Sequence, residues 1–305
     1  MGPLVLRGNV CIHPIQCSAQ GILATSPGEA GDRRPASDGK RTRLNTPESR
    51  GRTSTTNANG TGLPHGNAAS RDPGCEPASV ICAANDWTVG LARRDPNRLS
   101  AFVAIDPLRP TALPEIRRWQ GDPSVAGIKL HLTSSSVNLR KDSDLAALAS
   151  VFRAAAQARF AIVIHLRTQQ MDYGAADIRR FVEQVLPAAR DTPVQIAHAA
   201  GWSGIDPATL SALGAFADEI EANPQRFRHV WFDLSGVWTD KTSASDKHAL
   251  VALIRRIGVQ HFLAASDWPY NGDNLADYYN RVYPELPLTQ SEWTVIRGNV
   301  APYAR

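Results

Sequence analysis

Residues 160–199 read FAIVIHLRTQQMDYGAADIRRFVEQVLPAARDTPVQIAHA. Two short apolar runs, FAIVIHL (Phe160 to Leu166) and PVQIAHA (Pro193 to Ala199), flank an amphipathic stretch from Ala175 to Ala189. That succession predicts a βαβ unit, with parallel strands buried on both faces and a helix between them. Each run ends in or next to a histidine, His165 in the first and His198 in the second.

The same alternation extends in both directions. Further strands are predicted at Ala101 to Ile105, Val125 to Leu132, His229 to Gly236 and His261 to Asp267. Helices are predicted over Ala78 to Arg94, Asp142 to Ala158 with Ser143 or Asp144 as N-cap, Pro207 to Asn223 and Ser245 to Ile257. Six βα units imply a parallel sheet with right-handed crossovers, either an open doubly wound sheet or a closed barrel. An open dinucleotide-binding sheet carries a Gly-rich turn after its first strand, and no G-x-G-x-x-G stands at any of these strand ends, which favours the barrel.

Composition divides the 305 residues in two. All 21 Trp, Tyr and Phe lie at or beyond Trp87, while the four cysteines, Cys11, Cys17, Cys75 and Cys82, all precede it. Residues 1–79 carry nine Lys/Arg against six Asp/Glu and are rich in Gly, Pro, Ser, Thr and Asn. Such a segment has too little apolar surface to offset the entropy of ordering, so it is expected to be disordered, or else to be the product of a mistaken reading of the gene. Its acidic residues and lack of an amphipathic pattern argue against a transit peptide. The predicted body, residues 80–305, has interspersed charges and no basic run, which argues against nucleic acid as partner. No apolar stretch approaches membrane-spanning length, and the absence of cysteine from Trp87 onward fits a cytoplasmic setting. A homo-oligomer is left open.

Three strand ends carry metal-capable side chains, His165, His198 and Asp267. In a parallel α/β fold the carboxyl edge of the sheet is where ligands bind, so residues distant in sequence meet at one mouth, and imidazole with carboxylate is the usual donor chemistry for zinc and related ions. In GIKLH, Lys129 and His131 share one strand face; Lys129 is expected to contact a substrate carboxylate or to be structurally paired, and His131 is undecided. Arg167, two residues past His165, is a candidate carboxylate clamp, with a surface salt bridge as the alternative. Trp202, Trp268 and Tyr270 are candidate pocket walls, and Asp233 in FDLSG is expected to make structural hydrogen bonds.

With GIKLH, VIHL, QIAHAAGW, FDLSG, ASDWP and GNVAPY in this order from about Ile81 to Arg305, the chain resembles the amidohydrolase-related family of metal-dependent TIM-barrel hydrolases, the second amidohydrolase branch, which also contains aminocarboxymuconate semialdehyde decarboxylase. The resemblance implies a (β/α)8 barrel of which strands three to eight are recognisable. It implies a divalent ion, zinc first and manganese as alternative, with His165 and Asp267 as ligands and His198 as ligand or acid/base. It implies that Asp267 serves as general base in hydrolysis of a small carboxylate-, lactone- or amide-bearing substrate. Non-oxidative decarboxylation on the same scaffold is the alternative. The family's first-strand H-x-H occurs nowhere in this chain, so an inactive barrel remnant is a further reading.

Overall fold

The computed structural model describes residues 80–202, 204–267, 276 and 278–304. The reading of residues 1–79 as a separate segment lies outside these, as do Trp268 and Tyr270. The apolar runs form strands β1 (Ala101–Ala104), β2 (Val125–His131), β3 (Ala161–His165), β4 (Val194–Ile196), β5 (Val230–Asp233) and β6 (Phe262–Leu263). The helices are α1 (Val80–Arg94), α2 (Ala112–Trp119), α3 (Asp142–Ala158), α4 (Ala175–Gln184), α5 (Pro207–Ala222), α6 (Ala244–Ile257) and α7 (Gln290–Gly298). All neighbouring strands pair in parallel, in sequence order from β1 to β6. The fold is α/β of TIM-barrel type: among the described residues six strands stand in the sheet, and no pairing there closes β6 onto β1.

Strand alternation sorts the side chains into two faces. Ile128, Leu130, Ile162, Ile164, Val194, Ile196, Val230 and Phe232 join a large core with Leu148, Phe152, Phe181 and Phe216 from the helices. The opposite face is set by register: Phe102 beside Gly127, Gly127 beside Ala161, Lys129 beside Val163, His131 beside His165, and Val163 beside Gln195. Gly127 is required at its place, because a Cβ there would lie 2.2 Å from the Ala161 carbonyl oxygen and 2.6 Å from the Phe102 ring. Towards the carboxyl ends this face turns polar.

The free edge of β1 is closed by a side chain. Ala101 and Ile105 donate their N–H groups to Ser124 and Lys129 on the β2 side, so Ala104 faces away from the sheet. There Asn85 of α1, fully buried, accepts from the Ala104 N–H at 2.7 Å and donates to its carbonyl at 3.0 Å. The amide thus takes the place of one rung of a strand pairing on the side of β1 where no strand stands among the described residues, and Glu115 of α2 fixes it by accepting a second bond from Asn85 Nδ2 at 2.9 Å.

Several expected boundaries change. The strand expected to run to Ala199 ends at Ile196, since His198, Ala199 and Ala200 take positive φ values of 55, 50 and 64°. The β6 run stops at Leu263, well before Asp267, which itself has φ 55°. Helix α4 ends at Gln184, and Pro187, which has no N–H to continue an α-helix, lies in a separate short 3-10 turn, Leu186–Ala189. Helix α3 spans Asp142–Ala158 as expected, but its N-cap is Lys141, two residues before Ser143 and three before Asp144, and Asp144 accepts instead from the Asn138 N–H at 3.1 Å. Helices α2 and α7 were not anticipated; α7 is announced by the capping box of Thr289 and Glu292. No described helix is long and apolar enough to cross a membrane.

Candidate functional site

Strand ends β2 and β3 place His131 and His165 side by side, with rings stacked 4.0 Å apart and 6° from parallel. Both are buried. His131 Nδ1 accepts from the Ser134 N–H at 3.2 Å, so the proton of its neutral ring sits on Nε2. Burial, with the charges of Lys129 and His198 acting in the same direction, lowers its pKa to about 4. At neutral pH His131 is an uncharged plate against His165.

The His198 ring meets that of His165 edge-on, with centroids 5.1 Å apart. Its Nδ1 lies 2.8 Å from the Ser235 carbonyl oxygen and 3.1 Å from Ser235 Oγ. A carbonyl can only accept, so Nδ1 carries the proton and Nε2 presents a lone pair. The left-handed backbone beneath is secured by Asp233, whose Oδ1 accepts from the His198 N–H at 3.0 Å. Asp233 also accepts from Ser235 N–H and Oγ–H and from Gln195 Nε2, at 3.2, 2.5 and 2.7 Å, which makes it the structural acceptor expected of it.

Asp267 is half-buried, and burial raises its carboxyl pKa above the ordinary range. Asp233 pushes it the same way, against the opposing influence of His198 and Lys129. Lys129 is buried on the face that leads to His131. Trp202 is 45% exposed and sets its ring edge-on to His165 at 5.9 Å. Arg167 has the salt bridge anticipated as the alternative, a partly buried one: it donates to Asp206 Oδ2 at 2.7 Å with its guanidinium over the Trp202 and Tyr173 rings. β3 stops at His165, so Arg167 is directed by that ion pair rather than by the strand.

His165, His198 and Trp202 are therefore brought into contact, with Lys129 and Asp267 in electrostatic range. His165, His198 and Asp267 do not stand as a ready ligand set: among the described residues no three His, Cys, Asp or Glu side chains are arranged to hold a metal ion. The donors fit a zinc or manganese ion in kind, as imidazoles and a carboxylate, and His198 is oriented as metal-binding histidines are, with the far nitrogen anchored on a carbonyl. A cavity of about 350 Å³ lined by Arg153, Arg159 and Arg190 opens at the opposite ends of the strands, and none of the candidate residues borders it.

Sequence reasoning left His131 open and missed Gln195 and Tyr303. Gln195 carried a signal, as a polar residue in the middle of an apolar strand. Tyr303 closes the GNVAPY motif, but nothing in the sequence tied it to Gln195, because its partners depend on tertiary placement.

Residues 68–289 match the sequence profile of a family described as Amidohydrolase. No curated protein matches the chain. Among solved structures, the 5-carboxyvanillate decarboxylase of Sphingomonas paucimobilis is 18% identical with TM-score 0.49, covering 72% of this chain and 70% of its own. An amidohydrolase of Burkholderia multivorans with bound zinc is 17% identical with TM-score 0.47, covering 71% and 76%. A probable 2-pyrone-4,6-dicarboxylic acid hydrolase of Acinetobacter baumannii, with citric acid bound, is 14% identical with TM-score 0.46, covering 73% and 78%.

Proposed function

This chain belongs to the amidohydrolase family, and on that premise we propose that it hydrolyses a small carboxylate-, lactone- or amide-bearing molecule at the mouth lined by His165, His198 and Asp267, within a catalytic body spanning residues 80–305. The observation that carries the reading is the edge-on pairing of two buried imidazoles, His165 at the end of β3 and His198 in the turn after β4, the latter with its proton held on Nδ1 by the Ser235 carbonyl and its Nε2 left as the acceptor. His165 and His198 would hold a divalent ion, zinc with manganese as alternative, and Asp267 would be its carboxylate neighbour. Such an ion, when bound, polarises a carbonyl and lowers the pKa of water to about 7.

The chain's own groups divide the remaining work. Asp267, whose carboxyl is raised by burial, takes the proton of the attacking water and returns it to the leaving group. His198 offers Nε2 to a ligand or to a proton at the reacting oxygen. Lys129 supplies the buried positive charge that holds a substrate carboxylate. Arg167 and Trp202 wall the mouth, Arg167 through its bond to Asp206.

The test is turnover of a panel of lactones, amides and aromatic carboxylic acids by the parent and by Asp267→Ala, with metal content measured on both. Hydrolysis by the parent, lost in the variant, supports the reading. Release of carbon dioxide from an acid instead moves the chain to the decarboxylases. A second reading, a barrel without catalysis, is favoured by the missing H-x-H and by the lack of a three-donor group among the described residues; a parent with neither ion nor turnover would establish it.

A further inference from the structure

On the face of the sheet that carries the histidines, one run of buried polar groups is not used by the chemistry above. Gln195, in the middle of β4, is 5% exposed, and Asp233 and Ser235 are 3% and 4% exposed. Tyr303, from the turn Pro302–Ala304, sets its ring edge-on against Phe102 with centroids 4.9 Å apart and donates its hydroxyl to Gln195 Oε1, 108 residues away in sequence. Gln195 Nε2 donates onward to Asp233 Oδ2 at 2.7 Å. Asp233 Oδ1 takes the Ser235 hydroxyl at 2.5 Å and the His198 N–H at 3.0 Å.

The directions of these bonds are interlocked. A phenol that donates leaves the amide oxygen of Gln195 as the acceptor and turns its NH2 towards Asp233. A carboxylate accepts only, so the Ser235 hydroxyl donates to it and presents its own lone pairs to His198 Nδ1. That nitrogen must then carry the ring proton, which it also directs to the Ser235 carbonyl oxygen at 2.8 Å; the Ser235 backbone is itself held by its N–H on Asp233 Oδ1 at 3.2 Å, so both contacts that set the tautomer run through Asp233. The same carboxylate holds the left-handed turn at His198 to Ala200, a backbone that non-glycine residues adopt only against a steric cost.

We propose that Tyr303 and Gln195 are positioning residues that act through Asp233 and Ser235 to fix the tautomer and turn of His198, so that the chain's C-terminal segment is part of the site. The proposal rests on the reading of His198 as a functional group. Its test does not use activity.

The full-length chain, labelled with 15N-histidine and kept in EDTA so that no ion fixes the ring, is compared with Tyr303→Phe and Gln195→Leu by long-range 1H–15N spectra. The parent is expected to show His198 as a single Nδ1–H tautomer. In both variants that signature is expected to give way to a mixture with Nε2–H, while His248, hydrogen-bonded to Ala244 on the exposed face of α6, keeps its parental shifts. Tyr303→Phe retains the ring packing on Phe102 and is expected to melt within about 4 °C of the parent. An unchanged single tautomer in a folded Tyr303→Phe would overturn the proposal. So would failure of Tyr303→Phe to fold, since the phenol would then serve the fold and not the site. Absence of hydrolysis in the parent would remove the functional reading and leave the tautomer result standing.

Discussion

His198 and Asp267, drawn from different segments, share a left-handed backbone with φ 55° that non-glycine residues adopt only when their surroundings impose it. For His198 the imposing groups are visible as Asp233 and Ser235. Asp267→Ala is expected to lower turnover by about 10²–10⁴, the usual range for general acid–base groups, with the fold intact by circular dichroism. His131 carries a separate prediction. Its folded pKa of about 4 lies below the 6.5 of an ordinary histidine, so the unfolded chain binds the proton first as pH falls. Stability contributed by neutral His131 is thus full above pH 6.5 and lost as pH falls towards 4. His131→Asn should flatten that part of a denaturation-against-pH curve, and an unchanged slope would count against it. The strand-end histidines were legible because a polar residue closing an apolar run stands out. Ser235 and Tyr303 were not legible as partners of this site, since their roles arise from contacts across the sheet.

At the scale of elements, Asn85 performs a task that sequence pattern did not reveal. Its place on the buried side of α1 resembles any helix polar residue until β1 is seen to have no strand neighbour there among the described residues. Asn85→Leu would leave the N–H and carbonyl of Ala104 unsatisfied, at a cost of about 1–3 kcal/mol for each buried group. The expected outcome is a lower urea midpoint together with concentration-dependent self-association in sedimentation, as the bared strand edge finds partners. A midpoint and mass equal to those of the parent would refute this role. Gly127→Ala is expected to destabilise more severely, because the added methyl meets backbone at Ala161 rather than a movable side chain. Strand order and helix positions could be read from apolar periodicity. The short lengths of β4 and β6 could not, since the residues after Ile196 and Leu263 remain apolar while the backbone turns away.

For the whole molecule, six βα units read from sequence are the six that form, and the family's remaining strands have no counterpart among the described residues. The core under the helices is extensive, yet the polar face of the sheet is completed from the far end of the chain by Tyr303. Acid sensitivity follows from such long-range ties. Glu292, in the first turn of α7, bonds Arg255 of α6 and the N-cap Thr289, which hold its carboxyl at about 2. A lowered folded pKa gives stability that is present above pH 4.5 and lost as pH falls towards 2, so Glu292→Gln should reduce the loss of stability across that window. The most direct measurement for the central claim is calorimetric titration of zinc into the EDTA-stripped full-length chain, beside His165→Ala and His198→Ala. The account predicts one ion per parent chain and loss of that binding in both variants. Equal binding by all three, or none by the parent, would contradict it.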